Sequence, residues 1–131
     1  MMNAVVAVEI SIGELLDKIT ILEIKAAQIT SAEKLANVTR ELQILQSARA
    51  NALATNDELH NLEHQLKAVN LQLWQIEDDI RDCERQQIFS ERFIELARAV
   101  YKINDQRAHI KRLINEKTGS HIVEEKSYQP Y

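Results

Sequence analysis

The chain has 131 residues, of which 45% are hydrophobic and 27% are charged, and these values fit one ordinary globular domain. Its 16 lysine and arginine residues against 20 aspartate and glutamate residues give a formal charge of −4, which argues against a protein that binds nucleic acid or anionic membranes over its whole surface. Two glycines are too few for the glycine-rich loops that hold nucleotide phosphates. We therefore expect a single domain over residues 1–131, with neither nucleic acid nor membrane among its partners.

Cysteine usage and the N-terminus indicate the cellular compartment. The single cysteine, Cys83, cannot form an intrachain disulfide or a thiolate zinc cluster. The first ten residues include a short apolar run but lack the basic stretch and the cleavage site of a signal peptide, and no segment approaches the roughly eighteen apolar residues of a membrane-spanning helix. We expect a cytoplasmic protein, and no residue pattern calls for a cofactor.

Hydrophobic periodicity predicts a short strand followed by four helices. The strand is predicted over residues 4–10, where β-branched residues dominate. A Ser or Thr followed three residues later by Glu, the pattern of a helix capping box, marks the start of three helices: Ser11 with Glu14, Thr30 with Glu33, and Thr55 with Glu58. The expected helices cover residues 12–29, 31–54, 56–86 and 91–118, and a tail of residues 119–131 follows.

The first and third helices carry the most informative patterns. The first is apolar on two faces, because Ile21 and Ile24 lie away from the seam that contains Leu15, Leu16 and Ile19, and such a helix is sandwiched between others or shared between subunits. The third repeats apolar residues by threes and fours, which is the heptad of a left-handed coiled coil: Leu59, Leu62, Leu66, Val69, Leu73, Ile76, Ile80 and Cys83. The expected fold is all-α, with long antiparallel helices packed as in a coiled coil, and a homodimer is expected to bury the first helix.

A turn is predicted near residues 86–90, because the apolar seams of the third and fourth helices are out of phase. No Gly or Pro enforces this turn, so one continuous kinked helix remains an alternative. Antiparallel pairing across the turn would set Arg81 opposite Glu95 and Glu84 opposite Arg92. An acidic third helix would then lie beside a basic fourth helix.

The tail after the fourth helix is too short for a domain of its own. Ile122 and Val123 are candidates to pair with the strand at residues 4–10, although two strands alone are marginally stable. Tyr128 and Tyr131 are expected to anchor the tail on the helices. A mobile tail is the alternative.

Residues 60–64, His-Asn-Leu-Glu-His, match the H-x-x-E-H pattern, in which two histidines one turn apart bind zinc and the glutamate acts as a base. Such a site needs a third protein ligand and a walled cavity. These residues begin the acidic helix on its expected solvent side. We interpret the match as a coincidence on the surface, and we expect no metal site there.

Five acidic residues in the second half of the third helix are the other candidate metal ligands: Glu77, Asp78, Asp79, Asp82 and Glu84. Carboxylates at positions i and i+4 share a helix face, and magnesium takes oxygen ligands. The segment does not reproduce the paired E-x-x-E and E-x-x-D signature of all-helical nucleotide pyrophosphatases, and Arg81 lies inside the cluster. A solvated, salt-bridged helix face is the favoured interpretation.

The fourth helix carries a polar stripe beside its apolar seam: Tyr101, Asn104, Ala108, Lys111 and Asn115. Arg98 and Asp105 flank this stripe, and Arg107 stands within the seam. One interpretation is that Asp105 and the acids of neighbouring helices pair with these bases. The other is a pocket for a small anionic molecule, in which Arg98, Arg107 and Lys111 bind phosphate or carboxylate. Tyr101 and Asn104 would then orient the molecule. An open pocket beside the bases would distinguish the two interpretations.

Four segments resemble a family of small bacterial proteins of unknown function: SIGELLDKITILEIKAAQI at 11–29, LWQIEDDIRDCE at 73–84, FIELARAVYKINDQRAHIKRLIN at 93–115 and the ending EEKSYQPY. The resemblance covers nearly the whole chain and includes Asp17, Trp74, Glu77, Arg81 and the residues of the polar stripe. Glu77 and Arg81 therefore join the candidate ligand-binding residues. The resemblance implies a bacterial source and a link to surface polysaccharide, because members of the family look to be encoded near genes for its assembly.

A fainter similarity is to the all-helical chorismate mutases, whose helices supply Arg and Lys to a dicarboxylate. Asp17 stands in a suitable place, but Lys18 and Lys25 stand where that family has arginines. We expect a helical interaction or accessory protein with a protein partner or a small anionic ligand. The alternative is a small all-helical enzyme that binds a carboxylate or phosphate metabolite, chorismate-mutase-like or related to sugar nucleotides, with unknown catalytic residues.

Overall fold

The computed structural model describes residues 4–131 and contains four α-helices. They are α1 (Ile12–Gln28), α2 (Ala32–Ala52), α3 (Asp57–Gln86) and α4 (Glu91–Thr118). The all-α prediction is confirmed, and every helix begins and ends within two residues of its predicted bounds. None of the helices in this part of the chain is long and apolar enough to cross a membrane.

Side-chain hydrogen bonds at the helix starts explain where the helices begin. The hydroxyl of Ser11 accepts a hydrogen bond from the backbone N–H of Glu14 at 3.0 Å, so Ser11 is the N-cap of α1. Ser31 and Asn56 cap α2 and α3 in the same way, each one position after the threonine that the sequence pattern indicated. A short polar side chain next to the predicted cap can therefore take over its role.

A turn separates α3 from α4, so the alternative of one continuous helix is wrong. Gln87 ends α3 in the left-handed conformation, with φ 57° and ψ 37°. The predicted pairs across the turn do not form. Arg92 lies 3.5 Å from Asp79, and Arg81 pairs with Glu77 of its own helix at 3.2 Å. The long Arg92 side chain reaches back along α3, past the position that the predicted register assigned to it.

α1 lies at the centre of the fold and contacts each of the other three helices. It runs antiparallel to α4, because Gly13 meets Asn115 while Asp17, one turn later, meets Arg107. Most of both apolar faces of α1 is covered within one chain: on the second face, Ile24 is only 4% exposed and Ile21 is half-buried. The helix is therefore sandwiched, and its two apolar faces need no second subunit.

The hydrophobic core lies at the end of the bundle where α1 begins and α4 ends. Its buried members come from α1, α3 and α4: Leu15, Leu16, Ile19, Leu59, Leu62, Leu66, Val69, Ile110 and Ile114. α3 and α4 continue beyond this core as a two-helix hairpin, residues 76–102, which we call the distal arm. The first four positions of the α3 heptad seam, from Leu59 to Val69, are buried in the core, but Leu73, Ile76 and Ile80 are only half-buried.

Residues 4–10 do not form the predicted strand, and no strand occurs elsewhere in residues 4–131. A strand needs a neighbouring strand to bond its backbone groups. Ile122 and Val123 do not supply one, because the tail approaches this segment through side chains, with His121 Nδ1 at 3.7 Å from Glu9. The β-branched residues of this segment consequently stay exposed, Val6 at 87%.

Candidate functional site

Asp17 of α1 carries a carboxylate that is only 1% exposed. Arg107 of α4 donates from Nε to Asp17 Oδ1 at 3.0 Å and from Nη2 to the second carboxylate oxygen. Asn70 of α3 donates to the same Oδ1 at 2.9 Å and to the Thr20 hydroxyl at 3.0 Å. One buried carboxylate thus joins three helices, and the arginine within the apolar seam of α4 neutralises it.

Lys111, one turn further along α4, extends this arrangement. Its Nζ donates to Glu14 at 2.6 Å and lies 3.8 Å from Asp17 Oδ2. Two bases of α4 therefore face two acids of α1, which is the pairing that the first interpretation of the polar stripe predicts. The bidentate contact with Asp17 raises the pKa of the Arg107 guanidinium above its ordinary value.

α1 and α4 approach each other closely where the polar stripe ends. The backbone N–H of Gly13 donates to Asn115 Oδ1 at 2.7 Å, and a Cβ at Gly13 would lie 2.7 Å from the carbonyl oxygen of Lys111. Asn115 and the Ser11 hydroxyl both donate to the carboxylate of Glu124 in the tail. Burial alone would raise the pKa of Glu124, but the Ser11 hydrogen bond, its own backbone and the charge of Lys111 outweigh burial and lower it. These contacts fix the start of the tail against α1 and α4.

Asp105 holds the end of the tail against α4. Its carboxylate accepts hydrogen bonds from Lys126 Nζ and, at 2.5 Å, from the hydroxyl of Tyr131. These two donors lower the pKa of Asp105. The ring of Tyr131 also packs against that of Tyr101, with 5.2 Å between the ring centroids. Asp105 therefore binds the tail rather than the bases of its own helix.

An open groove of about 1130 Å³ lies between α4 and the tail, and we call it the α4–tail groove. Its α4 wall contains five of the predicted site residues: Tyr101, Asn104, Asp105, Arg107 and Lys111. Its tail wall contains Lys126, Tyr128, Gln129, Pro130 and Tyr131. All three tyrosines of the chain line this one groove.

The structure does not bring the other predicted site residues into the α4–tail groove. Glu77 and Arg81 line a smaller cleft of about 320 Å³ between α1, α3 and α4, which includes Trp74. Arg107 borders both cavities. Arg98 is exposed and lines neither of them.

Arg107 and Lys111, two of the three cationic residues of the groove, each keep hydrogen-bond donors that have no partner among the described residues. Arg107 uses Nε and Nη2 for Asp17, which leaves Nη1 with a long contact of 3.4 Å to Asn104 Oδ1. Lys111 gives one of its three N–H donors to Glu14 in a short hydrogen bond. Their side chains are 29% and 17% exposed, respectively. Both residues therefore have donors available for a ligand, and both line the groove.

The residues of the two candidate metal sites lie at the surface or form ion pairs with basic side chains. His60 and His64 are exposed, and Glu63 between them receives a bidentate contact from Arg49 of α2. Within the described part of the chain, no three His, Cys, Asp or Glu side chains lie close enough together to hold a metal ion.

Sequence reasoning missed the residues that complete the site from outside α4. Glu14 is read from sequence as part of a capping box, although its carboxylate binds Lys111. Asn70 could have been found from the sequence, because a polar residue directly beside the seam position Val69 needs a buried hydrogen-bond partner. Glu124 carries no such signal, since acidic residues are common in exposed tails.

Comparison with known proteins identifies a family but no characterised relative. DUF6165, a family of unknown function, matches residues 6–131. No curated protein matches the chain, and no solved structure does. The prediction of a family of unknown function is thereby confirmed.

Proposed function

We propose that this chain, which belongs to DUF6165, a family of unknown function, is a helical accessory protein that binds a small anionic molecule in the α4–tail groove. The observation that carries the proposal is that Arg107 and Lys111, which both keep unused hydrogen-bond donors, line the same open groove. Concave sites with a few convergent polar groups are the usual form of small-molecule sites. The polar stripe of α4 had two alternative interpretations, bases paired with acids or an open pocket beside the bases. In the folded chain the bases pair with acids, and an open pocket also lies beside them.

The lining of the groove supports a ligand with one anionic group and a ring. Arg107 Nη1 and Lys111 Nζ would hold a phosphate or carboxylate. Tyr101 and Tyr128 would offer ring faces and hydroxyl groups to the rest of the molecule. Sugar phosphates and sugar nucleotides have this chemistry. A role in surface-polysaccharide metabolism in the bacterial cytoplasm, which the family resemblance suggested, is part of the proposal.

The geometry gives less support to an enzyme of the chorismate-mutase type. Such an enzyme supplies Arg and Lys to a dicarboxylate. Here Arg107 and Lys111 each already bind a carboxylate, from Asp17 and Glu14. A dicarboxylate ligand would compete with both, whereas a single anionic group needs only the donors that remain free.

A thermal-shift screen tests the proposal, with sugar phosphates, sugar nucleotides, inorganic phosphate, chorismate and prephenate as probes. A ligand at a hundred times its dissociation constant stabilises the folded state by about 2.7 kcal/mol, which is several degrees in a domain of this size. We expect the shift to disappear in Lys111→Met. Lys117→Met is the matched control, because Lys117 also pairs with a glutamate at 3.0 Å but does not line the groove.

Two results would contradict binding at this site. One is a ligand shift that survives in Lys111→Met, which would place the ligand elsewhere. The other is the absence of any shift with every phosphate and carboxylate probe, which would leave protein partners as the ligands to test.

A further inference from the structure

The distal arm leaves most of its apolar surface uncovered. Of its large apolar side chains, only Cys83 and Leu96 are buried. The others are half-buried or exposed: Ile76, Ile80, Ile88, Phe89, Phe93, Ile94 and Val100. Apolar faces of helices are stable when another layer of structure covers them, and two helices alone form only one seam. The arm therefore exposes apolar surface of the kind that is buried inside a four-helix bundle.

The total accessible surface of the chain agrees with an unpaired arm. It amounts to 9443 Å², whereas a compact monomer of 15.1 kDa is expected to expose about 7,100 Å². The excess is roughly 2,300 Å², to which the two terminal segments also contribute. Stable interfaces bury about 600 to 1,000 Å² or more on each partner. The excess is thus large enough for one such interface.

The charges on the arm are complementary to those of a second copy. Asp78 and Glu84 on α3 are exposed, and neither forms an ion pair with any residue in the range 4–131. Arg98 and Lys102 on α4 are also exposed, and the described residues offer neither of them an acidic partner. Two arms packed about a twofold axis that runs parallel to their helices would place α3 of one copy beside α4 of the other. Asp78 and Glu84 of one copy would then lie on the same side as Arg98 and Lys102 of the other, where they can form ion pairs.

We propose that the distal arms of two copies pack side by side as a four-helix bundle, which makes the protein a homodimer. The occupant is a second copy because the uncovered apolar surface and the unpaired charges of both signs lie on the same hairpin and complement each other under twofold symmetry. This interface differs from the one that sequence reasoning predicted, since α1 is covered inside its own chain. The core cluster and α1 lie outside it.

Sedimentation equilibrium of the full chain tests the proposal. We expect the wild type to have twice the mass of 15.1 kDa. Ile94→Glu places a carboxylate on the arm at a side chain that is 55% exposed, so the single chain still folds. In the dimer that carboxylate would be buried without a partner, and the dissociation constant should rise on the order of a hundredfold. Ile44→Glu is the matched control on α2, at a side chain that is 61% exposed, and should leave dimerisation unchanged.

Hydrogen exchange adds a test without substitutions. Amide protection of the distal arm should increase with protein concentration in the wild type, and this increase should be absent in Ile94→Glu. A wild-type mass of 15.1 kDa at micromolar concentration would overturn the proposal. A dimer that Ile44→Glu dissociates while Ile94→Glu leaves it intact would overturn it as well, because the interface would then be on α2.

Discussion

Arg107 shows how a single side chain connects the core to the candidate site. Two of its nitrogens neutralise the buried Asp17, and a third remains at the wall of the α4–tail groove. Sequence reasoning identified this arginine as out of place in an apolar seam. Its partner could not be identified from the sequence, because Asp17 lies 90 positions away and their contact depends on the direction of α1 across α4.

Removing Arg107 should destabilise the fold strongly. Arg107→Leu removes the bidentate partner of the buried Asp17 carboxylate and leaves only Lys111, 3.8 Å away, as a nearby cation, so we expect the free energy of unfolding to fall by roughly 2–4 kcal/mol. Urea unfolding followed by circular dichroism measures this loss. Arg112→Leu is the control, since Arg112 lies on the same helix and its ion pairs with Glu116 and Glu125 are exposed. Its substitution should change the free energy of unfolding by less than about 1 kcal/mol.

A second substitution separates charge from packing. Asp17→Asn in the Arg107→Leu background removes the buried negative charge, so part of the lost stability should return. An Arg107→Leu variant that is as stable as the wild type would show that the arginine is retained for something other than folding.

Whether an element could be predicted from the sequence depends on whether it is determined by neighbouring residues or by contacts with distant parts of the chain. Helix bounds follow from periodicity and capping within a few residues, and they were predicted closely. The strand at residues 4–10 was predicted wrongly, because a strand depends on a neighbour that local sequence cannot supply. The α4 wall of the groove was visible as a polar stripe. Its other wall was not, because the tail carries no periodic pattern.

The attachment of the tail should depend on pH. The carboxyl groups of Asp105 and Glu124 both have a lowered pKa in the folded chain, so their contribution to tail attachment is complete above their ordinary values of 3.8 and 4.5. It is lost as the pH falls through the lowered values. Tyr131 titrates in the opposite sense, because its hydrogen bond to Asp105 raises its pKa above 10.0, and its contribution is lost only at higher pH.

Nuclear magnetic resonance of the Tyr131 ring measures tail attachment directly. We expect its signals to shift towards those of a free tyrosine only below pH 3.8, because the pKa of Asp105 is lowered from that value, and to do so already at pH 7 in Asp105→Asn. Glu116→Gln is the control, because Glu116 lies on α4 outside the α4–tail groove. Ring signals that stay unchanged in Asp105→Asn would mean that stacking on Tyr101 holds the tail without the carboxylate.

The whole molecule combines a covered end and an uncovered end. α1 and the core cluster occupy the end where α4 terminates, and the distal arm extends beyond the core cluster. The α4–tail groove lies along the middle of α4, from Val100 to Lys111. The heptad pattern of α3 runs through both ends without a change, so the sequence alone could not indicate where intrachain burial stops. That boundary follows from the length of α1, because its 17 residues can cover only part of the 30 residues of α3.

Since the core does not include the distal arm, dimerisation should stabilise the protein by mass action without being required for folding. The wild-type unfolding temperature should therefore rise with protein concentration, because a partner subunit acts as a ligand of the folded state. Ile94→Glu should unfold at a temperature that does not depend on concentration, and at the lowest concentrations the two proteins should converge. Differential scanning calorimetry over a hundredfold range of concentration measures both, with Ile44→Glu expected to follow the wild type. If Ile94→Glu were unfolded at every concentration, the arm would belong to the folding core, and the division of the molecule into a covered and an uncovered end would be wrong.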